Sequence, residues 1–234
     1  MAAAGMIVRI TEASPRLKAR IAGAMYLLTF LLGVTSSLAG GGIATTMRSI
    51  LMPRFWLGYA ADLGVVACYI AVTALFYDLF KPVNRSLSLL AAFFSLVGCA
   101  IGAFANVFHL AALTLLGDAP DLSVFNAAQL RGLASVCLES YNRGFGISMV
   151  FFGCYCLLIG YLIFKSTFLP QILGLLLAFA GLGCLTFLIP PLAHTLSPYP
   201  LTIDALAELL LTLWLLVMGV DPQRWKQRAS TAVE

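Results

Sequence analysis

Six runs of roughly twenty or more apolar residues, separated by short polar breaks, constrain this chain more than any other feature. A helix needs about 20 such residues to cross ~30 Å of hydrocarbon. The runs lie at about 20–39, 57–80, 87–116, 142–164, 168–189 and 201–220. Of 234 residues, 61% are hydrophobic and 10% are charged, where soluble domains carry about 25% charged residues. The mean hydropathy is +0.97. A chain of this length has too little interior to hide so much apolar surface, so lipid must cover it. The expected fold is therefore all-α: a polytopic membrane helical bundle of six transmembrane helices plus an amphipathic outer helix. No polar linker or low-complexity stretch divides the chain, so residues 1–234 read as a single membrane domain.

The breaks between runs explain themselves. Lys81-Pro82-Val83-Asn84-Arg85-Ser86 turns the second run into the third, because Pro and Asn end a helix and the cations hold the turn at a surface. Lys165-Ser166-Thr167 does the same between the fourth and fifth, and Pro190-Pro191 ends the fifth. The first run extends from Ile21 to Ala39, longer than the apolar region of a signal peptide, and reads as an uncleaved span.

Cation placement sets the orientation. With the N-terminus inside, Arg9, Arg16, Lys18, Arg20, Lys81, Arg85, Lys165, Arg224, Lys226 and Arg228 are cytoplasmic, and only Arg48, Arg54, Arg131 and Arg143 lie outside. That asymmetry accounts for the net charge of +4 without an acidic partner, and nothing points to nucleic acid. The expected location is a bacterial cytoplasmic (inner) membrane, multi-pass, with N-terminus and C-terminus in the cytoplasm and the lipid bilayer as partner.

Residues 122–140 are too polar to span. Leu122, Phe125, Ala128, Leu133 and Val136 suggest an amphipathic helix on the outer surface, or one that runs into the fourth span, with Gly144 and Gly146 allowing a bend. The six cysteines form neither a zinc ribbon nor a CxxC motif and read as reduced thiols. Gly98-x-x-x-Gly102, the seven-residue repeat Gly146, Gly153, Gly160, and the row Gly174, Ala178, Gly181 mark helix–helix seams.

Phe151-Phe152-Gly153, the run Leu158-Ile159-Gly160-Tyr161-Leu162-Ile163-Phe164-Lys165-Ser166, Phe168-Leu169-Pro170, Leu173-Gly174 and Ala180-Gly181-Leu182-Gly183 resemble domain-of-unknown-function family 4386. The opening Arg20-Ile21-Ala22-Gly23-Ala24-Met25-Tyr26-Leu27-Leu28 resembles it too. The resemblance implies a bacterial multi-pass membrane protein without an assigned activity, and its motifs are structural. Tyr155 stands where a His is expected in relatives, so no ligand role is carried over to it.

Polar residues inside spans carry the functional information, because each costs roughly 2.5–3.5 kcal/mol at mid-bilayer unless it faces the bundle interior or water. Asp62, Asn106, His109, Asp204 and Glu208 all fall in the outer half of their spans, with Asn142 and Arg143 at the outer boundary. These seven are the candidate ligand-binding residues of an outward-facing polar pocket. Asn106 and His109 continue the Gly98/Gly102 stripe, while Asp204, Glu208 and Thr212 form an i, i+4, i+8 row. If a metal is bound, His109, Glu208, Asp62 and His194 supply the acceptable ligands. No catalytic constellation and no cofactor motif is present.

The leading expectation is binding or movement of a small amphipathic molecule through that pocket. The alternatives are an intramembrane enzyme, metal-dependent or not, that uses the same residues, and a structural or regulatory subunit whose polar groups serve assembly alone. If the pocket is real, Glu208, the deepest acid, is expected within hydrogen-bond reach, directly or through one water, of Asn106 or His109. The sequence leaves oligomeric state open.

Overall fold

The apolar runs form helices whose starts are set by local caps. The computed structural model describes residues 14–40, 53–116 and 124–231. The helices are α1 (Pro15–Gly40), α2 (Pro53–Phe80), α3 (Arg85–Leu116), α4 (Ala127–Lys165), α5 (Gln171–Cys184), α6 (Pro190–Leu196), α7 (Tyr199–Val217) and α8 (Pro222–Thr231). A 3-10 turn, Leu185–Leu188, extends α5. Ser14 Oγ accepts the Leu17 amide, Asn84 Oδ1 the Leu87 amide, and Asp221 Oδ1 the Gln223 amide. Asn126 and Gln129 form a reciprocal capping box at the start of α4. Six helices are long and apolar enough to cross a membrane: α1, α2, α3, α4, α5 with its extension, and α7. Arg9, Arg48, Gly41, Gly42 and the first two residues of the 122–140 segment lie outside the described residues.

The helices close into a ring. Each of α1 to α4 packs on its successor in the chain, and α7 fits between α5 and α1. Two seams are built on missing side chains. A Cβ at Gly160 would lie 2.6 Å from the Gly174 carbonyl oxygen, and one at Gly153 would lie 2.9 Å from that of Gly181. Backbones of α4 and α5 thus touch directly, the arrangement expected of small residues in lipid. Gly98 faces the Phe152 ring of α4. Gly102 is looser, with Ser148 Oγ at 3.4 Å, since it borders a cavity described below.

Of the two arrangements expected for the amphipathic segment, the structure has the second: it runs into the fourth span as the first part of α4, a 39-residue helix about 58 Å long. It docks on α3 through Ala134 and Leu138, which pack with Ala112, while Phe125, Ala128, Leu133 and Val136 of the expected apolar face are exposed. Gly144 introduces no break; a Cβ there would come within 2.8 Å of Ala105, so its smallness serves packing.

Helix α8 is an element that the apolar runs do not mark. This helix lies against the basic face. Trp225 Nε1 donates to the Leu79 carbonyl (2.8 Å), Arg224 to the Thr167 carbonyl (3.0 Å), and Arg228 to the Lys165 carbonyl (3.1 Å). Beside it, Asp78 joins the buried Lys18 of α1 to Lys81. Trp225→Phe keeps the ring and removes the hydrogen bond. It is expected to lower stability by about 1 kcal/mol and to speed proteolysis after residue 221, read by timed digestion in detergent.

The ring is filled unevenly. Phe76, Leu79, Phe80, Ile159, Leu162, Ile163, Leu211 and Leu215 pack its basic end solidly. The polar residues gather toward the other end.

A buried polar cluster and cavity

The deepest polar group is Glu208 of α7. Its Oε1 accepts the Tyr26 hydroxyl of α1 (2.5 Å) and the Tyr69 hydroxyl of α2 (2.6 Å). The two hydroxyls stand 3.0 Å apart. Counting ~1.5 Å per residue from the basic ends of their helices puts all three roughly half-way across the bilayer. Both tyrosine rings are buried: Tyr69 meets Tyr26 edge-on at 5.5 Å, Phe152 at 4.7 Å and Tyr155 at 6.1 Å. A carboxylate oxygen in hydrocarbon needs donors, and two phenols from two other helices supply them.

Glu208 also borders a cavity of about 180 Å³. Asp62 and Tyr69 of α2, Asn106 of α3, Phe152 of α4 and Asp204 of α7 are among its lining residues. Asp62 Oδ1 accepts the Ser36 hydroxyl at 2.5 Å, while its Oδ2 is buried without a partner among the described residues. Asn106 is 5% exposed. Its amide nitrogen donates to the Gly102 carbonyl (3.1 Å), leaving Oδ1 buried and unpartnered. No Lys or Arg is among the described lining residues.

The seven expected pocket residues are therefore placed in two regions. Asp62, Asn106, Asp204 and Glu208 line the cavity. His109 is buried behind it, its ring 4.9 Å from that of Tyr141, a lining residue. Asn142 and Arg143 line a separate, larger cleft with His194, and Arg143 pairs with Glu139 at 3.1 Å. The direct partners of Glu208 are two tyrosine hydroxyls that the sequence does not pair with it, and Asn106 borders the same cavity. A tyrosine at mid-span, away from the interfacial belts where tyrosines concentrate, is the signal that marks them.

A metal set different from the expected one also comes together. Ligand atoms of Cys156, Asp204 and Glu208 lie within 4.8 Å of one another, and the Cys156 thiol donates to Asp204 Oδ1 at 3.8 Å. His194, in the other cleft, is not part of it.

Fold and site define a polytopic α-helical membrane protein with a buried acidic and phenolic cluster beside a central cavity. The chain belongs to the family described as Domain of unknown function (DUF4386), whose model matches residues 21–219. It is similar to an uncharacterized protein of Archaeoglobus fulgidus, 26% identical over 158 residues that cover 66% of this chain and 79% of the relative. No solved structure matches.

Proposed function

We propose that the protein binds or moves a small amphipathic molecule through the cavity beside Glu208. In this reading the cavity faces the outside of a bacterial cytoplasmic membrane, with both termini in the cytoplasm. One observation carries it. Polar groups from three helices border one cavity with aromatic walls, and two acceptors, Asp62 Oδ2 and Asn106 Oδ1, have no protein donor among the described residues. Groups that served assembly alone would satisfy one another, since an unmade buried hydrogen bond costs about 1–3 kcal/mol. The orientation rests on the ten cations against four.

Native Cys99, buried in the cavity lining, provides the test. As the sole cysteine, it is expected to react with a small, membrane-impermeant thiol reagent added outside intact cells. Thr231→Cys in the same background is expected to react only after permeabilisation. An unreactive Cys99 in correctly folded protein, or a Thr231→Cys labelled from outside, overturns the reading.

The triad of Cys156, Asp204 and Glu208 favours a second reading, an intramembrane enzyme with a divalent metal held by one thiolate and two carboxylates. Stoichiometric metal in protein purified without a histidine tag, lost in Cys156→Ser, would establish it over the first.

A further inference from the structure

The chemistry of the cavity narrows the ligand, given the reading above of the cavity as a binding site. Among the described residues its unpartnered side-chain atoms, Asp62 Oδ2 and Asn106 Oδ1, are both acceptors, the Tyr69 and Ser148 hydroxyls already donate within the protein, and the acids Asp204 and Glu208 stand one helical turn apart. The Asn106 assignment is fixed by geometry, because only the amide nitrogen can donate to the Gly102 carbonyl. Glu208 already receives two phenols on one oxygen. The acceptors left over call for N–H donors, and the acids favour positive charge, which no Lys or Arg among the described lining residues supplies. The remaining wall is aromatic. Tyr69 and Phe152 meet at 68° with centroids 4.7 Å apart, and Tyr141 and Phe145 stand on the same wall. Ring faces attract cations, most strongly where water is excluded. A volume near 180 Å³ exceeds the roughly 150 Å³ that admits benzene in an engineered cavity, so a single ring with a short arm fits.

We infer that the cavity takes a small organic ammonium ion, its N–H groups on Asn106 and Asp62 and its apolar part against Tyr69 and Phe152. Acids pull the charge in, unpartnered oxygens orient the donors, and the rings cover the rest. A neutral alcohol of the same shape loses the charge term and keeps one donor where the ammonium has three. Anions meet three acidic side chains, Asp62, Asp204 and Glu208, and are excluded.

Three probes of one shape and different charge test this: benzylammonium, benzyl alcohol and benzoate. Each is titrated calorimetrically into full-length protein in nanodiscs at pH 7, with EDTA throughout so that trace metal near Cys156 does not contribute. Benzylammonium is expected to bind at least tenfold more tightly than benzyl alcohol, and benzoate not at all. Asp62→Asn keeps the acceptor for Ser36 and removes the charge. It is expected to weaken benzylammonium tenfold or more while leaving benzyl alcohol unchanged, with an unliganded Tm within a few degrees of the parent. Asn106→Leu is expected to act in the same direction. Equal binding of amine and alcohol overturns the charge inference and leaves the cavity reading standing. Benzylammonium binding that ignores both substitutions overturns it too, since the amine then sits elsewhere. No binding by any probe, with Cys99 unreactive from outside, removes the cavity reading as well.

Discussion

Gly174→Leu is expected to abolish recovery of folded, monodisperse protein. A Cβ at this position would lie 2.5 Å from the Gly160 carbonyl oxygen and 2.8 Å from the Phe164 amide nitrogen, both backbone atoms of α4. A side-chain neighbour could rotate away, but backbone cannot move without carrying its helix. Overpacking a core ordinarily costs about 1–3 kcal/mol. Here separating α4 from α5 also strips the Gly153–Gly181 contact further along the same seam, so the loss should exceed that range. Detergent size-exclusion profiles and thermal unfolding read the effect, with Gly132→Ala as the control. Gly132 is exposed on α4 with nothing within 4 Å of its missing Cβ. Its substitution is expected to be neutral or to stabilise by up to about 1 kcal/mol. Wild-type behaviour of Gly174→Leu would mean that α4 and α5 do not meet as described.

Glu208→Leu is expected to cost about 2–4 kcal/mol, because it leaves two buried phenols without their shared acceptor, each worth about 1–3 kcal/mol. The loss stays below the sum since Tyr26 and Tyr69, 3.0 Å apart, can turn one hydroxyl onto the other. Glu208→Gln keeps a carbonyl oxygen in place and should lie within about 1 kcal/mol of the parent. A double-mutant cycle isolates the contact. Tyr26→Phe should cost about 1 kcal/mol in the parent and close to nothing beside Glu208→Leu. Additive losses would show that the phenols and the carboxylate do not share a hydrogen bond.

The contrast between these sites explains what could be read in the sequence. Span positions follow from apolar length, and the α4–α5 seam follows from a glycine row repeating on one helical face, both properties of a single segment. Glu208 was marked by its depth, but its partners were not, since nothing along α7 states that α1 and α2 flank it. Depth without azimuth also grouped Asn142 and Arg143 with the pocket. On α4 the lining residues are Tyr141, Phe145, Ser148, Met149 and Phe152, a stripe at helical spacing. At about 100° per residue, Asn142 sits to one side of it and Arg143 close to the far side. The stripe was legible; its polar neighbours drew the eye from it. Helix α8 was passed over because ten residues with cations on both flanks read as a charged tail. Its cap at Asp221 and its bonds to carbonyls of distant loops appear only in the folded chain.

The position of α7 between α5 and α1 also sets an order of events during synthesis. A ribosome delivers α1 first and α7 last among the six spans, so the ring stays open through most of translation. Until α7 arrives, Tyr26 and Tyr69 have each other but no carboxylate, and the cavity lacks the wall that Asp204 and Glu208 provide. The two acids of α7 enter the bilayer late, when α1 and α2 already offer the phenols that receive Glu208. A chain truncated before residue 199 thus keeps Asp62 and Asn106 but lacks Asp204 and Glu208, and its Tyr26 and Tyr69 hydroxyls are left with only each other.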